Sequence, residues 1–162
     1  MSVRIQRADF DVSTELAALQ AAVDSSGVGA VCSFVGTVRG AADGASSVAD
    51  MALEHYPGMT ERAIATMMQA AAVRFGILGA RVVHRVGRLA VGERIVLAAT
   101  AAAHRRAAFE ACEFIMDALK TQAPFWKKEF AADGSARWVA AKSADDEALA
   151  RWGLASRNAA QP

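Results

Sequence analysis

The chain has 162 residues, 54% hydrophobic and 22% charged, which excludes a disordered protein and allows a real core without disulfides or metal. Lys plus Arg number 18 and Asp plus Glu 17, a net charge of +1; nucleic-acid binding through bulk charge is excluded, and any anion site has to be a local cluster. No apolar run reaches the about 18 residues of a membrane span, and MSVRIQRADFDV lacks the apolar stretch of a signal peptide. The expected setting is therefore the cytoplasm, with no membrane and no nucleic-acid partner.

Val3 and Ile5 predict a short first strand. Ser13 stands where it can cap a helix over 14–23, with Leu16, Leu19, Ala22 and Val23 on one face. VGAVCSFVGTVR (28–39) is β-rich, and its Gly29 and Gly36 mark bulges or close backbone approaches. GAADGASS (40–47) reads as a flexible loop. A strand over 48–54 and the turn HYPGMTER lead into a helix over 60–75, with Ile64, Met67, Met68 and Ala71 on its apolar side. ARVVHRVGRL and ERIVLAATA read as two more strands, joined through Ala90-Val91-Gly92.

A long helix over 105–121 follows, with Phe109, Cys112, Met116 and Leu119 predicted as its apolar stripe. Pro124 stops it. Residues 125–130 and 137–141 predict a hairpin around Ala132-Asp133-Gly134-Ser135. A short helix over 144–152 then precedes a frayed tail. Loose alternation with hairpins predicts an α+β fold rather than a doubly wound parallel sheet. No linker interrupts the chain, so 1–152 reads as one domain and 153–162 as a flexible tail.

The chemistry is found by exclusion. His55, His84 and His104 are far apart, and there is no CxxC, HExxH, Walker loop or dinucleotide fingerprint, so neither metal nor cofactor is expected. Cys32 and Cys112 sit in apolar stretches and read as free thiols of low reactivity. What remains is cationic. Arg39 ends a β-run. His104-Arg105-Arg106 opens the long helix, where backbone amides favour an anion and basic side chains oppose the helix dipole. Surface solvation ordinarily explains such a pair of arginines; the dipole cost tilts the reading towards an anion site.

LKTQAPFWKKEF (119–130) concentrates three lysines around a proline and a tryptophan. Lys120 shares a helix face with Met116, so its stem can pack while its ammonium reaches outward. On a strand, Phe125, Lys127 and Glu129 face one way and Trp126, Lys128 and Phe130 the other. Both faces mix apolar and charged residues, so periodicity leaves Lys127 and Lys128 as alternatives. Tyr56 and Met59 in HYPGM either pack locally or wall a pocket.

FVGTVR (34–39), LEHYPGMTE (53–61), HRVG (84–87), AHRRAAFEACEFIMDALKTQAPFWKKE (103–129) and RWV (137–139) together resemble the large, catalytic subunit of molybdopterin synthase, in the family's order and spacing, from about residue 3 to 152. The resemblance implies an α/β hammerhead fold with an additional small β-rich subdomain, and a homodimer within a heterotetramer. It also implies a small ubiquitin-like sulfur-carrier subunit as partner. The carrier's C-terminal Gly-Gly thiocarboxylate would enter a pocket and pass sulfur to cyclic pyranopterin monophosphate, making the dithiolene of molybdopterin. By the same resemblance Lys120 and Lys127 are catalytic, which selects Lys127 over Lys128. Arg39, His104, Arg105 and Lys142 would bind substrate, with His104 and Arg105 reaching the site from the neighbouring subunit. Phe34, Met116 and Pro124 would line the carrier-tail pocket. Lys142 stands where the family often has arginine, and lysine lacks the planar two-pronged phosphate contact of arginine. A non-catalytic adaptor that binds the carrier is the alternative reading.

Overall fold

The computed structural model describes residues 1–40, 48–131, 134–139 and 143–154. In chain order its elements are β1 (Ser2–Gln6), α1 (Val12–Ala21), β2 (Ala30–Thr37), β3 (Val48–His55), α2 (Met59–Phe75), β4 (Gly79–Arg85), β5 (Gly87–Ala90), β6 (Arg94–Ala102), α3 (Arg105–Gln122), β7 (Phe125–Ala131), β8 (Ala136–Val139) and α4 (Ser143–Ala150). Most expected elements appear within a residue or two. The cap of α1 differs: Asp11, not Ser13, accepts the Thr14 amide at 2.7 Å and the Thr14 hydroxyl at 2.8 Å, because a carboxylate serves that position as well as a hydroxyl. Residues 41–47, most of the expected loop, and 155–162, most of the expected tail, lie outside the described residues.

The strands form two sheets. The first has the order β1-β4-β6-β2, with β1 parallel to β4 and the other pairs antiparallel. Helices α2 and α3 cover one face, where Ile64, Met68, Phe114 and Ile115 pack on Val82, Val96 and Ala98. Phe10 and Leu19 cover the other, against Val83, Leu97, Ala99 and Ala101. Burial on both faces explains why β6 reads as a nearly continuous apolar run rather than an alternating one. Both strand glycines act as expected. A Cβ on Gly29 would sit 2.2 Å from the Ala103 carbonyl oxygen, and the β2–β6 register shifts just after Gly36.

The second sheet, β5-β3-β7-β8, rests on a much smaller core of Val38, Met51, Leu53 and Leu89. Its existence corrects one expectation. ARVVHRVGRL is not a single strand: Gly87, at φ 86°, turns the chain out of the first sheet after β4 and into the second as β5. A left-handed backbone at this point suits glycine alone. Arg85 fixes the crossing. Its buried guanidinium donates to the carbonyls of Arg7 (3.2 Å) and Arg94 (3.0 Å) and to Glu93 (3.0 Å).

Helix α3 corrects a second expectation. Its buried side is Ala108, Ala111, Cys112, Phe114, Ile115, Ala118 and Leu119, while Phe109 is 62% exposed. The predicted stripe was turned too far round the helix, so that its first member belongs to the open face. At the chain's end, Trp152 packs edge-on against Phe75 and Phe114, both at 5.6 Å. The α+β class holds: an α/β hammerhead with a second, smaller β-rich unit. Among the described residues no helix is long and apolar enough to cross a membrane.

Candidate functional site

Only Ala123 and Pro124 separate α3 from β7, so Lys120 and Lys127 stand on two rigid elements joined by a fixed corner. Pro124 ends the helix by forcing Ala123 into an extended backbone, ψ 128°. The corner is held from two sides. The buried Thr60 hydroxyl donates to the Pro124 carbonyl at 3.2 Å, and Phe125 stacks on His84 with ring centroids 4.0 Å apart. His84 is buried, which pushes its pKa down to about 4 and keeps the ring neutral. Its Nδ1 lies 2.8 Å from the Arg85 carbonyl oxygen; a carbonyl only accepts, so Nδ1 carries the proton.

The two candidate lysines of β7 part company here. Lys127 Nζ meets Glu129 Oε1 at 2.7 Å, and Arg137 reaches the other oxygen at 3.0 Å. Lys127 first, and Arg137 after it, hold the Glu129 carboxyl below its ordinary pKa. Lys128 instead lies over the Trp138 and Phe130 rings at 5.3 and 5.6 Å, on the opposite face. Lys127 pairs across the sheet with Leu53, beside the small core that also buries Val38. The next residue after Val38 is Arg39, which is exposed. Arg39 therefore directly follows one residue of the core beside which Lys127 pairs.

Lys120, at the end of α3, is half-exposed and its Nζ meets Asp145 Oδ1 of α4 at 3.1 Å. Met116, one turn earlier, is half-buried against the main core. Phe34 on β2, the edge strand of the first sheet, is 43% exposed. Its ring runs along the strand over Gly36, where a Cβ would lie 3.2 Å from Phe34 Cε1; a side chain there would push the ring off.

A family model described as MoaE protein matches residues 5–122. This chain belongs to the MoaE family. It is 55% identical over 158 residues to the molybdopterin synthase catalytic subunit of Ralstonia nicotianae, covering 98% of this chain and 88% of that one. A solved structure of the molybdopterin biosynthesis MoaE protein from Burkholderia ambifaria superposes with a TM-score of 0.79 at 53% identity, over 94% of this chain and 98% of that one. The fold extends further: a chain from the complex of subunits 1 and 2 of the Helicobacter pylori molybdopterin-converting factor has a TM-score of 0.67 at 22% identity, over 87% of this chain and 90% of that one.

Within this MoaE chain the expected residues fall into three groups. Lys120, Met116, Pro124 and Lys127 lie along α3, its corner and β7, while Phe34 stands on the edge strand β2 and Arg39 just after it, next to Val38 of the small core. His104 and Arg105 sit at the far end of α3. They line a surface depression of about 520 Å³ with Gly29, Ala103 and Arg106. Fifteen helical steps of 1.5 Å put Arg105 about 22 Å from Lys120, beyond the reach of its side chain. Lys142 lies outside the described residues.

Two residues at the site were missed by sequence reasoning. Glu129 carried a signal, since residues two apart on a strand share a face. Asp145 carried none, being 25 positions from its lysine.

Proposed function

We propose that this chain works as the catalytic subunit of molybdopterin synthase, a sulfurtransferase of molybdenum cofactor biosynthesis. It would take sulfur from the thiocarboxylate tail of a small ubiquitin-like carrier and deliver it to cyclic pyranopterin monophosphate, twice per dithiolene. Relatives described as catalytic subunits support this, because that is a name for one component of a larger enzyme. The observation that carries the chemistry is the α3–β7 corner, which presents two lysines from rigid elements on either side of a proline.

The reaction brings two anions together, the carrier's thiocarboxylate and the substrate's phosphate. Their repulsion is the first obstacle, and fixed cations in a partly desolvated site offset it. Lys120 would hold the thiocarboxylate and stabilise charge as sulfur adds to the pterin side chain. Lys127, kept in place by Glu129, would orient the substrate. Arg39, with Lys142 and a neighbour's His104 and Arg105, would bind phosphate and pterin. Phe34, Met116 and Pro124 would form the narrow apolar wall that a tail without side chains requires, since such a tail is gripped through its backbone.

The separation of Arg105 from Lys120 favours a homodimer. Arg105, Phe109, Met116 and Lys120 fall within about 60° of one another round α3 at 100° per residue. Arg105, Phe109 and Lys120 are exposed and Met116 half-buried, so this strip carries a cation at each end. Two copies of that strip packed antiparallel about a two-fold axis would bring Arg105 of each copy beside Lys120 of the other, completing two sites at once. With one carrier per site the assembly would be a heterotetramer.

Single-turnover sulfur transfer tests the reading. The chain is mixed with thiocarboxylated carrier and cyclic pyranopterin monophosphate, and the dithiolene product is followed by mass spectrometry. Product from wild type and none from Lys120→Ala is the expected result. A stable carrier complex that never yields product would leave an adaptor, not a synthase.

A further inference from the structure

The ion pair at the end of α3 plays no part in the chemistry derived so far. Asp145 stands in the first turn of α4, and its side chain is 24% exposed against 55% for Lys120, so the carboxylate is the more enclosed partner. Helix α4 is firmly fixed to α3. Leu149 is fully buried. Arg151 meets Glu113 at 2.6 Å and Asp117 at 2.7 Å, and Trp152 Nε1 donates to Asp117 at 2.8 Å. Asp145 is therefore held against Lys120 by a packed element. An acidic residue in a first helical turn also offsets the helix dipole, but Asp146 does this equally, and the dipole does not require a lysine 25 positions back.

We propose that Asp145 is an internal competitor for Lys120: it holds the Lys120 ammonium with a carboxylate in the free protein, and the anionic end of the carrier tail displaces it on binding. The inference rests on the sulfur-transfer reading above. A carboxylate and a thiocarboxylate are both planar and singly charged, so one replaces the other at the ammonium, while the displaced Asp145 carboxylate, 24% exposed, loses its partner and opposes binding. A tail ending in a neutral amide brings no charge to exchange and leaves the pair closed. Exposed lysine–carboxylate pairs are weak enough for such exchange to be easy. Asp145 thus lowers affinity for every anionic tail slightly and leaves that for a neutral tail unchanged.

The test is a titration of the full chain with the carrier in three forms, ending in thiocarboxylate, carboxylate or amide, for wild type, Asp145→Asn and Asp145→Glu, alongside steady-state kinetics. Asp145→Asn is expected to bind both anionic forms about two- to five-fold more tightly, to show this in the KM for carrier, and to bind the amide form as wild type does. The gain disappears when Lys120→Ala is added, and Asp145→Glu restores the wild-type values. An equal change for all three tails, or an effect confined to kcat, overturns the proposal. So does a wild type that binds and turns over normally while Asp145→Asn changes nothing. A wild type that binds no form of the carrier overturns the sulfur-transfer reading, and this inference with it.

Discussion

The two sheets are built on different terms. The first is buried on both faces between α2 and α3 on one side and α1 on the other, and β6 is buried almost throughout. The second packs only Met51, Leu53 and Leu89 with Val38, and β7 runs Phe-Trp-Lys-Lys-Glu-Phe with every side chain at least partly open. Stability resides in the first sheet. The second spends its positions on charge and keeps only enough core to hold a strand straight. Lys127 and Glu129 can occupy adjacent same-face positions there because solvent stays close, whereas in β6 each would need a buried partner.

That contrast can be broken by measurement. Leu97→Ala, in the first sheet, is expected to cost about 2–5 kcal/mol of unfolding free energy; Met51→Ala, in the small core, should cost distinctly less. Equal losses in urea titrations would remove the distinction. The corner lysines should behave in the opposite way. Lys120→Ala and Lys127→Ala are each expected to slow sulfur transfer about 10²–10³-fold, while stability changes by no more than about 0.5 kcal/mol.

His84 links the two regions, being buried in β4 and stacked on β7. Its folded pKa of about 4 lies below the ordinary 6.5, so the unfolded chain takes up the proton first as pH falls. Stability should drop between pH 6.5 and 4, by about 3 kcal/mol from this group. His84→Gln should flatten that part of the curve in thermal melts at graded pH.

Glu129→Gln should be the mildest change, below about 1 kcal/mol. The carboxyl's lowered pKa means that its contribution is present above the ordinary 4.5 and is lost as pH falls through the folded value. The variant should therefore match wild type in acid and differ from it at neutral pH.

Much of this was legible in the sequence, because regular elements announce themselves by period. The Ile64–Met68–Ala71 face of α2, the β7–β8 hairpin and the Pro124 stop follow from spacing and from the chemistry of proline. The break at Gly87 did not, since ARVVHRVGRL reads as one strand and a single glycine can sit in a strand or end it. Phe109 was misplaced because a period of 3.6 fixes a stripe's spacing but not its direction, and α3 carries apolar residues, many of them alanine, on more than one side. Spacing alone left Lys127 and Lys128 equal; the structure separates them through what each side chain meets, a carboxylate or two rings. The partner of Lys120 was invisible, because only the docking of α4 through Asp117 and Leu149 brings Asp145 to it.

The Arg105-to-Lys120 strip of α3 has a consequence for how such a chain can change over evolutionary time. Arg105 and Lys120 share a side of the helix only because fifteen steps of 100° return close to the starting direction. Deleting or inserting one residue anywhere between them would swing one cation about 100° round the axis relative to the other, whichever end stayed anchored in the core. Substitutions along this helix can be absorbed one at a time, but changes of length cannot. Among relatives that keep the activity, the stretch from the His-Arg pair to the lysine should therefore vary in composition and never in residue count.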